Sequence, residues 1–438
     1  MLQRLLFFAV LATAAVLGPA DAWAAAGVRN ETASGVLTDG QDEPVGIQAP
    51  LGVSRIDRVS HPGASYIAVK FDGFNLPPGD QVIVRSPSGD EVYSYTGKGR
   101  GDSGSFYATI IHGSEALVEY VASPTTTRQV SSTGTGVGYT IPAFARGFES
   151  SSPESICGVA DQSVPAKCFR PDTALGATLP LAYQKALSVA RLYIRGKGRC
   201  SGWLIGSEGH LITNYHCISS QDQASMVDIE FLAESASCSD QCREGGGCKG
   251  NVVATTSTLV AADAKLDYAV VKLPSQASII WYGYLQVRAS GPVMNEEIYV
   301  PQHPRGGAKR IVSQVDGGDA ARITGLGGSA SCSGGTNEVS YMADTEGGSS
   351  GSPVIGVRDN AVVALHHCGG CANVGVDVHD IVQDLRSKGI AIRDMLADSV
   401  ATPQPVAGQC AGLSSTACEA AFLCTWNALA ASCQRWWS

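Results

Sequence analysis

A chain of 438 residues is long enough for two or three domains, each with its own core. Hydrophobic residues at 44% against 16% charged exclude a disordered chain, and the 51 glycines exceed the usual share of about 7%, as suits a turn-rich, mostly β protein. A net charge of −9 supplies no basic footprint, so neither nucleic acid nor an anionic membrane is an expected partner.

Residues 1–24, "MLQRLLFFAVLATAAVLGPADAWA", carry one arginine, an apolar run and then small residues at Ala20, Ala22 and Ala24. That pattern is a secretory signal peptide, too short in its apolar core to span a membrane, and no other segment reaches about 18 consecutive apolar residues. Secretion decides how the 14 cysteines read: in an oxidising compartment an even count most simply means seven disulfides. Asn30, in Asn-Glu-Thr, is a glycosylation acceptor compatible with that compartment.

Residues 25–45 are polar and expected to be poorly ordered. Over residues 46–121, runs such as "SYIAVKFDGFNL", "DQVIVRSPSGDEVYSYTG" and "GSFYATIIHGSEALVEYV" alternate apolar with polar residues between turn sequences, which predicts a small β-sandwich without cysteines. The Arg100-Gly101-Asp102-Ser103 tetrapeptide sits in one of those turns, and turn chemistry accounts for its composition. Residues 122–152 are rich in Ser, Thr and Gly and read as a connector. A larger domain follows over residues 155–397, closing on an amphipathic helix in "HDIVQDLRSKGIAIRDML" that Gly389 interrupts. The tail, residues 408–438, places Cys410, Cys418, Cys424 and Cys433 in so short a segment that only disulfides give it a fold, with three pairings open.

Three stretches of the larger domain carry chemistry. "CSGWLIGSEGHLITNYHC" reads as two strands around a Gly-Ser-Glu-Gly turn, bracketed by Cys200 and Cys217; a disulfide between them fixes the end of the second strand and with it His216. "AKLDYAVVKL" puts Asp267 at the mouth of an apolar strand, where an aspartate otherwise disfavours pairing. "DTEGGSSGSPVIG" holds Ser350 among glycines, ahead of two short apolar strands in "PVIGVRDNAVVALHH". Singly, these are a structural histidine, a strand cap and a flexible linker. Together, in the order His, Asp, Ser, they point to a nucleophilic hydrolase.

At these residues the chain resembles the chymotrypsin-like serine proteases, in "LITNYHC", "LDYAVVKL" and "GSSGSP", over roughly residues 155–397. Within that clan it is most similar to the secreted lysyl and glutamyl endopeptidases, which share the "GSSGSP" form, the run seen here as "PQHPRGGAKRI" and, in the lysyl type, an early cysteine pair like Cys157 and Cys168. The resemblance implies two six-stranded antiparallel β-barrels with His216, Asp267 and Ser350 meeting between them, no cofactor and no metal, protein or peptide substrates, and action as a monomer. It implies that His216 takes the Ser350 proton and that Asp267 holds the imidazole's tautomer. Gly348 permits a turn that presents its N–H beside that of Ser350 as an oxyanion hole. One departure stands out. Ser349 occupies the place where digestive and clotting members carry the aspartate that switches on the zymogen, so activation differs.

For specificity, Asp344 lies six positions before Ser350, where trypsin-like members bind Lys or Arg, and Asp377 lies about where lysyl endopeptidases place their specificity aspartate. His366 or His367 matches the histidine with which glutamyl enzymes bind an acidic side chain. Two carboxylates against one His-His pair point to Lys or Arg at P1, with Glu as the alternative. Cys238, Cys242 and Cys248, with Cys368, Cys371 and the adjacent histidines, allow a zinc set on paper, but secretion favours disulfides. The rival class is a protease-like binding or decoy protein that acts through its flanking modules. A cut after Arg128 or Arg146 in the connector is expected to release the sandwich as a pro-segment and uncover the cleft.

Overall fold

The computed structural model describes residues 37–38, 40–127, 137–147, 156–329 and 336–397, with the paired strands Cys424–Asn427 and Ser432–Arg435 of the tail. Residues 1–24, expected to be a signal peptide, and Asn30, Arg128, Cys410 and Cys418 lie outside the described residues.

The N-terminal strands are β1 (Gln41–Pro50), β2 (Arg55–Ser60), β3 (Tyr66–Asp72), β4 (Gln81–Arg85), β5 (Val92–Tyr95), β6 (Phe106–Tyr107), β7 (Ile111–His112), β8 (Glu115–Val121) and β9 (Val137–Arg146). They form two antiparallel sheets, β1-β9-β3-β6 with β7 also on β3, and β2-β8-β4-β5. Alternation drives the layering: Ala116, Val118 and Tyr120 of β8 face inward, as do Val82 and Val84 of β4. Between the sheets Phe71, Phe74, Phe106 and Tyr139 meet ring to ring at centroid distances of 5.1 to 5.7 Å.

The sandwich is longer at both ends than the composition suggests. Residues 41–45 are part of β1, and the expected connector contains β9, which lies between β1 and β3. Pro142 obscures β9 in the sequence, since proline lacks the ladder donor, but the pairing slips register between Ile141 and Ala143 and the bulge accommodates it. Arg146 therefore sits in a strand paired on both sides, with its Nε 2.7 Å from Glu43 Oε1, and is no exposed cleavage site.

The larger domain is a double β-barrel. The first barrel runs β10 (Val189–Ile194), β11 (Gly198–Ile205), β12 (His210–Thr213), β13 (Val227–Phe231), β14 (Asn251–Ala254), β15 (Thr258–Asp263) and β16 (Tyr268–Lys272), in the sheet order β14-β13-β10-β11-β12-β16-β15. The end strands β14 and β15 are separated by only residues 255–257, so they are halves of one bent strand that closes a six-stranded barrel. The second runs β17 (Ile298–Gln302), β18 (Arg310–Val312), β19 (Ile323–Ser329), β20 (Thr336–Tyr341), β21 (Pro353–Gly356), β22 (Val362–Cys368) and β23 (Asn373–Asp377), ordered β18-β17-β21-β22-β23-β20-β19. Here β18 and β19 are the interrupted strand, and bridges from Gln314 to Ala320 and from Glu297 to Arg322 close the ring. Helix α1 (Val378–Ser387) packs Val378, Ile381, Val382 and Leu385 inward and stops before Gly389, whose φ is +69°.

Cysteine pairs staple this domain: Cys157–Cys371, Cys168–Cys238, Cys200–Cys217 and Cys242–Cys248 are disulfides, and Cys368 is disulfide-bonded too. No described cysteine is free, so the thiols drawn as a zinc set are already committed.

The sandwich is bound to the first barrel by more than the chain. Met226, at the head of β13, is buried in the sandwich core. Arg100, the arginine of the turn tetrapeptide, is buried with Nη2 2.9 Å from Asp228 Oδ1. His112 lies between Glu91 of the sandwich (2.7 Å) and Glu230 of β13 (3.4 Å), and Arg191 Nη2 reaches Glu230 Oε2 at 2.8 Å.

Candidate active site

His216 follows β12, and the Cys200–Cys217 bridge ties that strand's end to β11. Asp267 stands directly before β16 with φ +44°, a left-handed conformation that costs an aspartate free energy and is held by Asn214, whose Nδ2 donates to Asp267 O at 2.9 Å. His216 N donates to Asp267 Oδ1 at 3.0 Å, and His216 Nδ1 lies 2.7 Å from Oδ2. Burial opposes the Asp267 charge, but hydrogen bonds from His216 and His367 hold its carboxyl down to about 2. An ionised carboxylate only accepts, so it fixes the His216 proton on Nδ1 and leaves Nε2 as the basic nitrogen. That Nε2 is buried and has no hydrogen-bond partner among the described residues, Ser350 Oγ included. In such sites the hydroxyl–imidazole contact often tightens only around substrate.

Ser350 precedes β21 on a turn that needs its glycines. Gly348 has φ +93° and Gly351 φ +87°; a Cβ on Gly348 meets Gly306 N at 2.7 Å, and one on Gly351 meets Ser201 O at 2.2 Å. Ser201 holds the turn twice, donating from N to Ser350 O (2.8 Å) and from Oγ to Gly348 O (3.0 Å). Gly351 N donates to His366 O (2.8 Å) and Arg305 N to Gly347 O (2.6 Å). With the turn so fastened, the N–H groups of Gly348 and Ser350 donate to no described group. Ser349 is buried, its Oγ accepting from Glu346 N at 3.2 Å, so a local cap fills the place of the zymogen aspartate.

The specificity candidates divide. Asp344 is buried with both oxygens engaged, Oδ1 accepting from Cys157 N and Oδ2 from Gln162 N, each at 2.8 Å. Asp377 caps α1 by accepting from His379 N at 2.8 Å. Burial raises both carboxyls above the usual range. Neither is the unpaired carboxylate expected of a pocket for basic side chains. His366 shares a 2.7 Å hydrogen bond with the Tyr341 hydroxyl, and burial, helped by the neighbouring His367 and His216, pushes it down to about 3, so it is neutral. His367 faces the other way: Nδ1 lies 3.1 Å from Asp267 Oδ2 and Nε2 3.0 Å from Glu338 Oε2.

Sequence reasoning passes over Ser201, Asn214 and Glu338. Ser201 had one available signal, its place beside Cys200 on the histidine hairpin; Glu338, far away in a strand, had none. The Cys200–Cys217 bridge is local and anchors the base, so replacing both cysteines with alanine is expected to cost about 2–5 kcal/mol and to lower activity more than the lost stability explains. Thermal unfolding and hydrolysis measured on the same variant check this.

Residues 200–365, which contain His216, Asp267 and Ser350, match the trypsin-like peptidase domain. The secreted RxLR effector protein 73 of Plasmopara viticola is 43% identical over 338 residues, spanning 75% of this chain and 80% of that protein. Among solved structures, the Rv3671c protease of M. tuberculosis in its inactive form overlaps with TM-score 0.36 and 16% identity, over 53% of this chain and 100% of that one. The HtrA-type protease AlgW with a decapeptide gives 0.35 and 14%, over 48% and 66%.

Proposed function

Because the chain belongs to the same family as that Plasmopara viticola effector and carries a trypsin-like peptidase domain, we propose that it is a secreted serine endopeptidase working through His216, Asp267 and Ser350. The observation that carries the reading is the 2.7 Å contact between His216 Nδ1 and an ionised Asp267, beside a serine turn with two uncommitted N–H donors. Ser350 Oγ attacks the peptide carbonyl as His216 Nε2 takes its proton, and the N–H groups of Gly348 and Ser350 receive the oxyanion. His216 returns the proton to the departing amine, and the same base then activates water to release the acyl group. The disulfides and the relative's name support action outside the producing cell, with the protein exported as an effector.

Within the clan, the motifs favour the lysyl and glutamyl group, and the geometry favours its glutamyl side. A basic P1 residue wants an unpaired carboxylate, and Asp344 and Asp377 both serve backbone N–H groups. The groups that remain are donors: Thr345 Oγ1 is buried without a partner among the described residues, and the neutral His366 would exchange its contact with Tyr341 or with the Val374 backbone for a substrate carboxylate. Short peptides with Glu, Lys, Arg or Phe at P1 test this. Glu is expected to be cleaved best, with at least about a tenfold loss in kcat/KM on His366→Ala, the order expected for a lost hydrogen bond to a charged group. Preferred cleavage after Lys or Arg, abolished by Asp344→Ser, restores the other assignment. The rival reading, a binding or decoy protein, predicts no cleavage of any of the four.

A further inference from the structure

His367 is placed between two carboxylates. It leaves β22 toward Asp267 on one side and Glu338 of β20 on the other, with both ring nitrogens within 3.1 Å of an oxygen. The ring is fully buried, and Glu338 is nearly so. A neutral imidazole has one N–H, so one of the two contacts would set a lone pair against a carboxylate; only the imidazolium donates to both. The same Asp267 oxygen that accepts from His367 Nδ1 also accepts from His216 Nδ1.

The charge count explains why both residues are needed. A lone cation against Asp267 cancels the charge that must stabilise the His216 imidazolium as it forms. With Glu338 behind it, His367 adds a charged hydrogen bond to Asp267 and no net charge. The cluster of Glu338, His367, Asp267 and His216 then carries one negative charge at rest and none once His216 has taken the Ser350 proton.

We propose that His367 is a positioning residue for the reaction, a buried imidazolium that orients Asp267, and that Glu338 is its counter-charge. The inference rests on the endopeptidase reading above. It differs from the specificity role that the sequence suggests for His367, since both of its nitrogens are engaged away from a substrate side chain. Burial works against the charge, but the bonds to Asp267 and Glu338 outweigh it and raise the ring to about 9. The ionisable groups facing it are Asp267 and Glu338, with His216 and the neutral His366, itself bonded to Tyr341, alongside.

The test has two arms. In the Ser350→Ala protein, nitrogen-detected NMR of the eight histidines should show the His367 ring charged at pH 7.5, and adding Glu338→Gln should lower its titration by a unit or more. In the active protein, His367→Gln should lower kcat on the order of 10²-fold with KM little changed, the loss expected from a misplaced base. It should also move the acid limb of kcat/KM upward, because a positive charge has left the vicinity of Asp267; a purely structural role leaves that limb in place. A His367 ring that is neutral at pH 7.5 overturns the inference alone, as does wild-type kcat and pH profile in His367→Gln. A charged ring in a wild-type protein that hydrolyses nothing sinks the endopeptidase reading and, with it, the positioning role.

Discussion

Ser350→Ala is expected to abolish peptide hydrolysis and labelling by a phosphonyl fluoride, with a loss in kcat on the order of 10⁶-fold, while thermal unfolding stays where it was. The side chain removed is one hydroxyl, and no described hydrogen bond depends on it: the turn is held through the backbone of Ser350 and through Ser201, Gly351 and Arg305. His216→Ala should lose nearly as much, because the two residues act as one unit. Residual hydrolysis in either variant measures what the N–H groups of Gly348 and Ser350 do without a nucleophile–base pair. Hydrolysis by Ser350→Ala at the wild-type rate removes the assignment. Wild-type inertness in the same assays, with an intact fold, favours the decoy reading, and the free Nε2 of His216 would then be the resting geometry of a site that no longer works.

The barrels were legible because their signals are local. The hairpin around residues 206–209, the Asp267 strand mouth and the glycine-bracketed serine each carry a turn or strand boundary within a few residues of the chemistry, and the Cys200–Cys217 bridge spans that same hairpin. The sandwich end was misread for the opposite reason. Strand β9 is recognisable only if Pro142 is granted a bulge, and a bulge depends on the partner strands β1 and β3, which lie far away in sequence, with Thr140 opposite Asp72 and Ala143 opposite Pro44. Ser/Thr/Gly composition outvoted the inward pair Tyr139 and Ile141, and the bulge at Pro142 puts the next inward residue, Phe144, out of step with them.

The site shows the same divide. Residue type and order pick out His216, Asp267 and Ser350, yet they assign Asp344 and His367 to the wrong surroundings. A carboxylate six positions before the nucleophile looks free until the segment containing Cys157 and Gln162 is seen to run past it with two N–H groups aimed at its oxygens. His367 looks like half of a substrate-binding pair until Glu338 appears on its far side. Both corrections come from long-range partners, which one sequence without its fold does not reveal.

Arg191→Met is expected to destabilise the protein by about 3–5 kcal/mol, the cost of removing one partner from a buried ion pair, and to weaken the hold of the barrel on the sandwich. Arg191 and Glu230 are fully buried, and the Arg191 guanidinium also donates to Gly247 O at 2.8 Å and Gly306 O at 3.0 Å. Its loss strands the Glu230 carboxylate against His112 and the Gly250 N–H. At this chain length, with an unfolding entropy of about 2.1 cal/mol/K per residue, the drop corresponds to roughly 3–6 °C in Tm, whereas Arg58→Ala, which breaks an exposed pair with Glu115, should cost under about 1 kcal/mol. Equal shifts for the two variants would mean the buried network contributes no more than a surface pair. The same network argues that the sandwich is a permanent module. A nick within residues 128–136 cuts the chain but leaves Met226 in the sandwich core and Arg100 on Asp228, so the two parts should still elute together in gel filtration. The association has a pH sign. Burial disfavours charge on His112, but Glu230 and Glu91 outweigh it and raise its pKa, so this contribution is complete below the ordinary histidine range and fades as pH rises through the raised value. Dissociation of the nicked protein should therefore become easier at alkaline pH. A sandwich that separates freely at pH 6 and leaves an active enzyme would return it to the role of a pro-segment.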